Sequence, residues 1–221
     1  MSNASLARVL MLVLFAATVG CATSRSEIKI GSPAMTAPAS SSSSAQVVVI
    51  RTVKDERTFE EAPRDPSIPS LGFEGATQAL PEIKARAIGR KRNTYGKALG
   101  DIILESDQTV EGVIRESLWT TFQQAGYQVK KDISDAGSSP LIVDVKIRQF
   151  WAWFKPGFWA ITLNTHITTD LILSGDTLPV VVSVHAQEKG QMATDSSWIE
   201  IVEKALKEYR DQAVGKIPAP R

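Results

Sequence analysis

Cysteine is nearly absent: Cys21 is the only one among 221 residues. No disulfide can form within the chain, and no thiolate cluster can hold a metal. Histidine is scarce too, with only His166 and His185. Two histidines without spaced cysteines or carboxylates fall short of a zinc set, which takes four ligands, or three and a water. Neither sign of charge is in excess, since 25 Lys and Arg stand against 24 Asp and Glu for a net charge of +1. That balance gives no global attraction to nucleic acid. Long hydrophobic runs are missing, because the nine apolar residues Val9 to Ala17 end at Thr18 and a membrane-spanning helix needs about 20. The familiar catalytic motifs are missing as well. There is no Gly-x-Ser-x-Gly elbow and no His-Glu-x-x-His helix, and Gly96–Lys97 is followed by Ala98 with no glycine at 91, which excludes a P-loop. These absences argue against an enzyme, a metal centre or a cofactor.

What is present begins at the N-terminus. Arg8, the apolar run and then Thr18–Val19–Gly20–Cys21 read as a bacterial lipoprotein signal ending in a lipobox. The reading predicts loss of residues 1–20 and acylation of Cys21, including a fatty acid such as palmitate on the new amine. At about 0.8 kcal/mol per buried methylene, several chains anchor firmly where one does not. The mature protein is then anchored rather than spanning. Ala22 follows the cysteine where an aspartate would retain enterobacterial lipoproteins, and that resemblance implies the periplasmic face of the outer membrane.

The next segment, Gly31 to Ala45, is Ser, Ala and Pro with Met35 as its one large apolar side chain, a composition suited to a flexible spacer. Residues 21–45 are therefore expected to form the acylated cysteine and tether. Ile28–Lys29–Ile30 alternates as a strand would and leaves that boundary loose. Residues 46–215 are expected to form a single periplasmic domain, with 216–221 as a short tail.

Within the domain, Val47 to Ile50 and Val53 form a β-branched run typical of a buried strand. Asp55 to Ala79 carries Pro63, Pro66 and Pro69 and reads as a long surface loop. A second strand covers Ala98 to Leu104. Val110, Val113, Ile114, Leu118 and Phe122 recur at helical spacing, with Thr109 as N-cap and Gly126 as stop. Alternating residues from Leu141, from Trp159 and from Val180 predict three strands in an antiparallel meander. Ser197 and Glu200 form the spacing of a capping box that opens a last helix, ended by Gly215. The fold class expected is α+β: a mainly antiparallel sheet with a C-terminal three-stranded meander and two helices on one face.

Two surface candidates stand out. Trp151, Trp153, Phe154, Phe158 and Trp159 crowd around a turn at Lys155–Pro156–Gly157. They mark either a projecting tip that meets a protein, a glycan or the membrane interface, or a patch covered by another part of the chain. Arg90, Lys91 and Arg92 form a basic stretch that could contact an anion, although charge runs are more often plain solvated surface.

From the lipobox through Gly100–Asp101–Ile102, Gln124–Ala125–Gly126–Tyr127 and Leu141–Ile142–Val143–Asp144–Val145 to the last helix, the chain resembles the YajG-type family of outer-membrane lipoproteins. That family has no agreed activity, so the resemblance carries over Cys21 alone. The function expected is a non-enzymatic binding or interaction domain of the cell envelope, with the membrane reached through the lipid anchor and an envelope protein or glycan as partner. An accessory lipoprotein of a lipid or polysaccharide transport system is the alternative, and a cell-wall hydrolase a more distant third.

Overall fold

The computed structural model describes residues 25–33, 46–72, 75–93, 97–137 and 139–220. Cys21, the signal sequence and residues 34–45 lie outside them. The elements run β1 (Ser26–Ile28), β2 (Val47–Asp55), α1 (Gly75–Gln78), α2 (Pro81–Arg86), β3 (Ala87–Arg92), β4 (Ala98–Leu104), α3 (Val110–Gln124), β5 (Gln128–Lys130), β6 (Leu141–Pro156), β7 (Ile161–Leu173), β8 (Val180–Gly190) and α4 (Asp195–Lys216). The fold is α+β with a mixed eight-stranded sheet and four helices among the described residues.

Strand β6 is the axis of the sheet. Of its sixteen residues, Val143 to Pro156 pair antiparallel with β7, with a bulge between Ile147 and Gln149, and β7 pairs antiparallel with β8. On the other side of β6, the first half is met by β2 in parallel and the second half by β3, also in parallel, through Gly89 and Ala152. Beyond β3 come β4, antiparallel, and β1, parallel to β4; beyond β2 comes β5, again parallel. The expectation of a mainly antiparallel sheet is corrected accordingly. Parallel pairing needs long connections, and the parallel partners are separated along the chain by other elements: β2 and β3 lie between β1 and β4, and β4, α3 and β5 lie between β3 and β6.

The core lies between one face of this sheet and the two long helices. Val113, Ile114, Leu118 and Phe122 of α3, with Trp198, Ile201, Val202, Leu206 and Tyr209 of α4, pack against Val143, Val145, Ile147, Ile167 and Leu171. Thr109 caps α3 by accepting a hydrogen bond from the Gly112 amide at 3.1 Å, and Gly126 ends it with φ of +91°, a conformation that costs glycine little. Helix α4 differs from expectation at both ends. Its N-cap is Thr194, whose hydroxyl accepts from the Ser197 amide, and the helix passes through Gly215 to Lys216. Ser197 therefore lies inside the first turn rather than before it.

Two domain boundaries move. Strand β1 pairs with β4, and Ile28 and Ile30 are buried in the main core, so residues 26–30 belong to the folded domain rather than to a tether. The Ser/Ala/Pro segment then connects β1 to β2 instead of linking the domain to Cys21. At the other end, Ile217 is buried and Tyr127 Oη donates to the Pro218 carbonyl at 2.9 Å, which ties down the first part of the expected tail.

Candidate functional site

The β6–β7 hairpin divides its aromatics between two fates. Trp151 and Trp153 are 0% and 4% exposed, whereas Phe158 and Trp159 are 90% and 83% exposed. The first pair lies on the sheet face opposite the long helices, where the proline-rich segment folds over it. Trp151 Nε1 donates to the Pro66 carbonyl at 3.2 Å, Gln149 Nε2 donates to the Ser67 carbonyl at 3.0 Å, and Phe59 meets Trp151 edge-on at 6.0 Å. Leu71, Ala79, Ala87 and Ile103 complete this second, smaller core, with Ile83 of α2 packed against it. Trp151 and Trp153 are thus withdrawn from any partner contact, and Phe154, packed against the main core, is half-buried. The contact candidate narrows to Phe158 and Trp159.

The segment that makes this cover is fastened by Arg57, whose side chain is fully buried. Its five N–H donors all find acceptors. Nε and Nη2 grip Asp55 at 2.8 and 2.6 Å, Nη1 reaches the carbonyls of Ala87 and Phe150 at 2.7 and 2.9 Å, and Nη2 also reaches Lys84 at 2.9 Å. A guanidinium can satisfy so many carbonyls because its donors form a rigid planar fork. Nothing in Asp55–Glu56–Arg57 announces this role, and the sequence reading missed it.

Phe158 and Trp159 sit in the turn between β6 and β7, ring edge against ring face with centroids 4.8 Å apart. Gly157 allows the turn, since a Cβ there would stand 2.4 Å from the Ala160 carbonyl oxygen. Behind the tip, register places Lys155, Thr162 and Lys189 in one row across β6, β7 and β8. Both lysines are exposed, and so is Met192 just past the end of β8.

Arg90, Lys91 and Arg92 prove to be a strand, β3, that the sequence reading did not foresee. Alternation along it separates them. Arg90 lies opposite Asp101 on the covered face, and Arg92 Nη2 donates to the Pro63 carbonyl of the covering segment at 3.2 Å. Lys91 instead bonds the Ser26 hydroxyl of β1 and stands 4.0 Å from Asp195 of α4. Burial lowers the pKa of both arginines, and the Arg90 charge lowers that of Arg92 further. Arg90 and Arg92 thus share the covered face while Lys91 lies on the other, so the three side chains do not converge on one point. Asp101, fully buried, accepts instead from Arg25 Nε at 3.1 Å and from the Gly72 amide at 2.8 Å.

The two histidines do meet. His166 and His185 are register partners on β7 and β8 with ring centroids 5.9 Å apart, and His185 stacks on Trp153 at 5.3 Å. His166 Nε2 lies 3.0 Å from Thr168 Oγ1 and 3.2 Å from Ser183 Oγ, while His185 Nε2 lies 3.2 Å from Asn164 Oδ1. Burial, then the neighbouring His185, lowers the His166 pKa. Among the described residues no carboxylate bonds either ring to orient it as a general base, and no group of three or more His, Cys, Asp or Glu side chains is placed to hold a metal. At the opposite end of the sheet, Gln46, Tyr127, Leu141, Ser174, Lys216 and Pro218 help line an open cleft of about 580 Å³.

The free edge of β8 is guarded. Lys204 and Lys216 of α4 donate to the carbonyls of Gln187 and Val181 at 2.8 and 2.7 Å, and Gln212 accepts from the Ser183 amide at 2.8 Å. Side chains thus occupy backbone groups that would otherwise invite an added strand.

The sequence matches no family model and no curated protein. Among solved structures, a Xanthomonas campestris protein of the family DUF330 is similar over 87% of this chain and 91% of its own, at 13% identity and a TM-score of 0.42. A second, described only as an uncharacterized protein, covers 87% and 95% at 10% identity and 0.40. Lipoprotein GNA1162 of Neisseria meningitidis covers 76% and 99% at 7% identity and 0.29. Likeness at this level assigns neither a family nor a role. No helix among the described residues is long and apolar enough to cross a membrane.

Proposed function

We propose that the chain is a bacterial envelope lipoprotein, anchored through acylated Cys21 on the periplasmic face of the outer membrane, whose α+β domain works by binding rather than by chemistry. The observation that carries this reading is the bare aromatic pair at the hairpin tip. Single exposed apolar side chains are common, but two adjoining aromatic rings on one projecting turn form a contiguous apolar patch of the kind that marks an interaction site. Phe158 and Trp159 support no part of the fold, in contrast to Trp151 and Trp153 eight and six residues before Trp159. The short histidine, serine and threonine network on β7 and β8 makes its hydrogen bonds internally, which suits a structural face better than a reacting one.

Intact mass spectrometry of the protein extracted from its native envelope tests the anchor. The expected mass lacks residues 1–20 and carries acyl chains on Cys21, and Cys21→Ala leaves the membrane fraction while keeping its melting temperature. A full-length, unacylated mass, or a Cys21→Ala protein still sedimenting with outer membrane, would refute it.

A further inference from the structure

We propose that the hairpin tip rests in the headgroup layer of the same bilayer that holds the acyl chains of Cys21, so that the domain stands on the membrane at two points. The inference rests on the lipid anchor proposed above and adds what the aromatic tip touches.

Chain direction is the first argument. Strand β6 runs towards the tip, β3 runs with it, β4 runs back, and β1 runs with β4. Strand β1 therefore heads away from the tip, and the residues before it leave the sheet on the tip side. Register fixes the level: Ser26 faces Ile102, Ile102 faces Gly89, and Gly89 faces Ala152. From that row β6 needs four more residues to reach Pro156, about 13 Å at 3.3 Å per residue. Backwards from Ser26, five residues lead to Cys21, and they can span at most roughly 18 Å. An anchor at Cys21 and the tip at Phe158 and Trp159 can thus reach the same plane.

The short leash is the second argument. Because β1 is part of the sheet, only Ala22, Thr23 and Ser24 separate Cys21 from Arg25, which is itself bound to Asp101. A domain held by so few residues cannot float clear of the headgroups. The end of the sheet that holds the leash must face the membrane, and it is the end that carries the tip.

The chemistry of the tip is the third. Tryptophan favours the membrane–water interface, where its ring meets acyl carbon and its N–H meets water or phosphate. Lys155 and Lys189 stand one row behind it, two strand steps apart or about 10 Å, placed for lipid phosphates once the aromatics are immersed. Asp65 accepts hydrogen bonds from the Ser67 amide and hydroxyl at 2.9 and 2.7 Å, which lower its pKa, with smaller contributions from Lys155 and Arg92, and Glu188 is held by Lys204 at 3.5 Å, so both carboxylates are engaged within the chain. Met192 adds a third exposed apolar side chain on the same end.

The test uses the acylated full chain in vesicles of phosphatidylethanolamine and phosphatidylglycerol. Acylation blocks Cys21, so a nitroxide attaches only at an introduced thiol, Phe158→Cys at the tip or Asp176→Cys in the β7–β8 turn at the other end. Both sites are exposed, and unchanged melting verifies each fold. The expected result is a several-fold higher ratio of oxygen to water-soluble nickel collisions at 158 than at 176. With acylation confirmed by mass, equal ratios at the two sites would overturn the inference and leave the anchor standing. A label at 158 shielded from both reagents would show contact between protein copies and overturn it as well. An unacylated Cys21 would overturn the anchor and, with it, the two-point stance.

Discussion

Trp151 with Trp153, and Phe158 with Trp159, are two aromatic pairs on one hairpin, nearly identical in composition and opposite in surroundings. The inner pair is sealed beneath the proline-rich segment, with its indoles packed against Phe59, Leu71 and His185. The outer pair touches mainly itself and solvent. Burial stabilises the fold in the first case. In the second it has to be supplied by something outside the chain, which is why aromatic density alone is a poor guide to a binding surface and its cover has to be known.

The largest effects should come from breaking the inner half. Trp151→Ala removes a fully buried ring and should cost about 3–5 kcal/mol, read as a fall in the urea midpoint. Arg57→Ala should cost a similar amount, about 3–5 kcal/mol, because it leaves Asp55 and three carbonyls without their buried partner. Trp151 should also become reactive to oxidants in that variant as its cover loosens. Gly89→Ala should cost about 1–3 kcal/mol by overpacking, since a Cβ would stand 2.8 Å from the Ala152 carbonyl oxygen where β3 meets β6; a neutral result would mean that this junction is looser than drawn.

The root of the hairpin gives a smaller, pH-limited effect. Asp144 is held down to a pKa of about 2 by hydrogen bonds from Arg51 and, less, from Thr52. A depressed carboxyl contributes stability that is complete above its unfolded value of about 3.9 and lost as pH falls towards 2. Asp144→Asn should therefore flatten the acid limb of the stability profile between about pH 4 and 2. The same slope in both proteins would remove Asp144 from the explanation. Smallest of all, Phe158→Ala and Trp159→Ala should leave stability within about 0.5 kcal/mol while making the acylated domain more mobile on vesicles, read as lower anisotropy of an attached dye. A large loss of stability would merge the two halves of the hairpin into one structural role.

Much of this arrangement was legible in the residues. Period-two alternation from Leu141, Trp159 and Val180 placed the three long strands, the middle one starting at Ile161 rather than at Trp159, and the Thr109 cap with the Gly126 stop bounded α3. Strand β3 was not legible, because Gly89 and three consecutive cations lower β propensity and its pairing to β6 rests on one backbone approach. Strand β1 was legible only in part: the alternation of Ile28–Lys29–Ile30 hinted at a strand, but it is three residues long, begins at Ser26, and its partner lies more than seventy positions away. The division of the aromatics was visible only as an alternative, since no local pattern tells which loop will cover a face. The cover over the inner aromatics and the pairing of β1 depend on contacts distant in sequence, which no local pattern reports.

The central claim is that one hairpin carries an inner pair for the fold and an outer pair for the membrane. Peptide-level oxidative footprinting of the tryptophans tests it most directly, comparing the acylated protein on vesicles with the Cys21→Ala chain in buffer. The account predicts that Trp151 and Trp153 are protected in both states and that Trp159 is oxidised in buffer and protected on the bilayer. Equal oxidation of Trp159 in the two states, or oxidation of Trp151 to match it, would contradict the account.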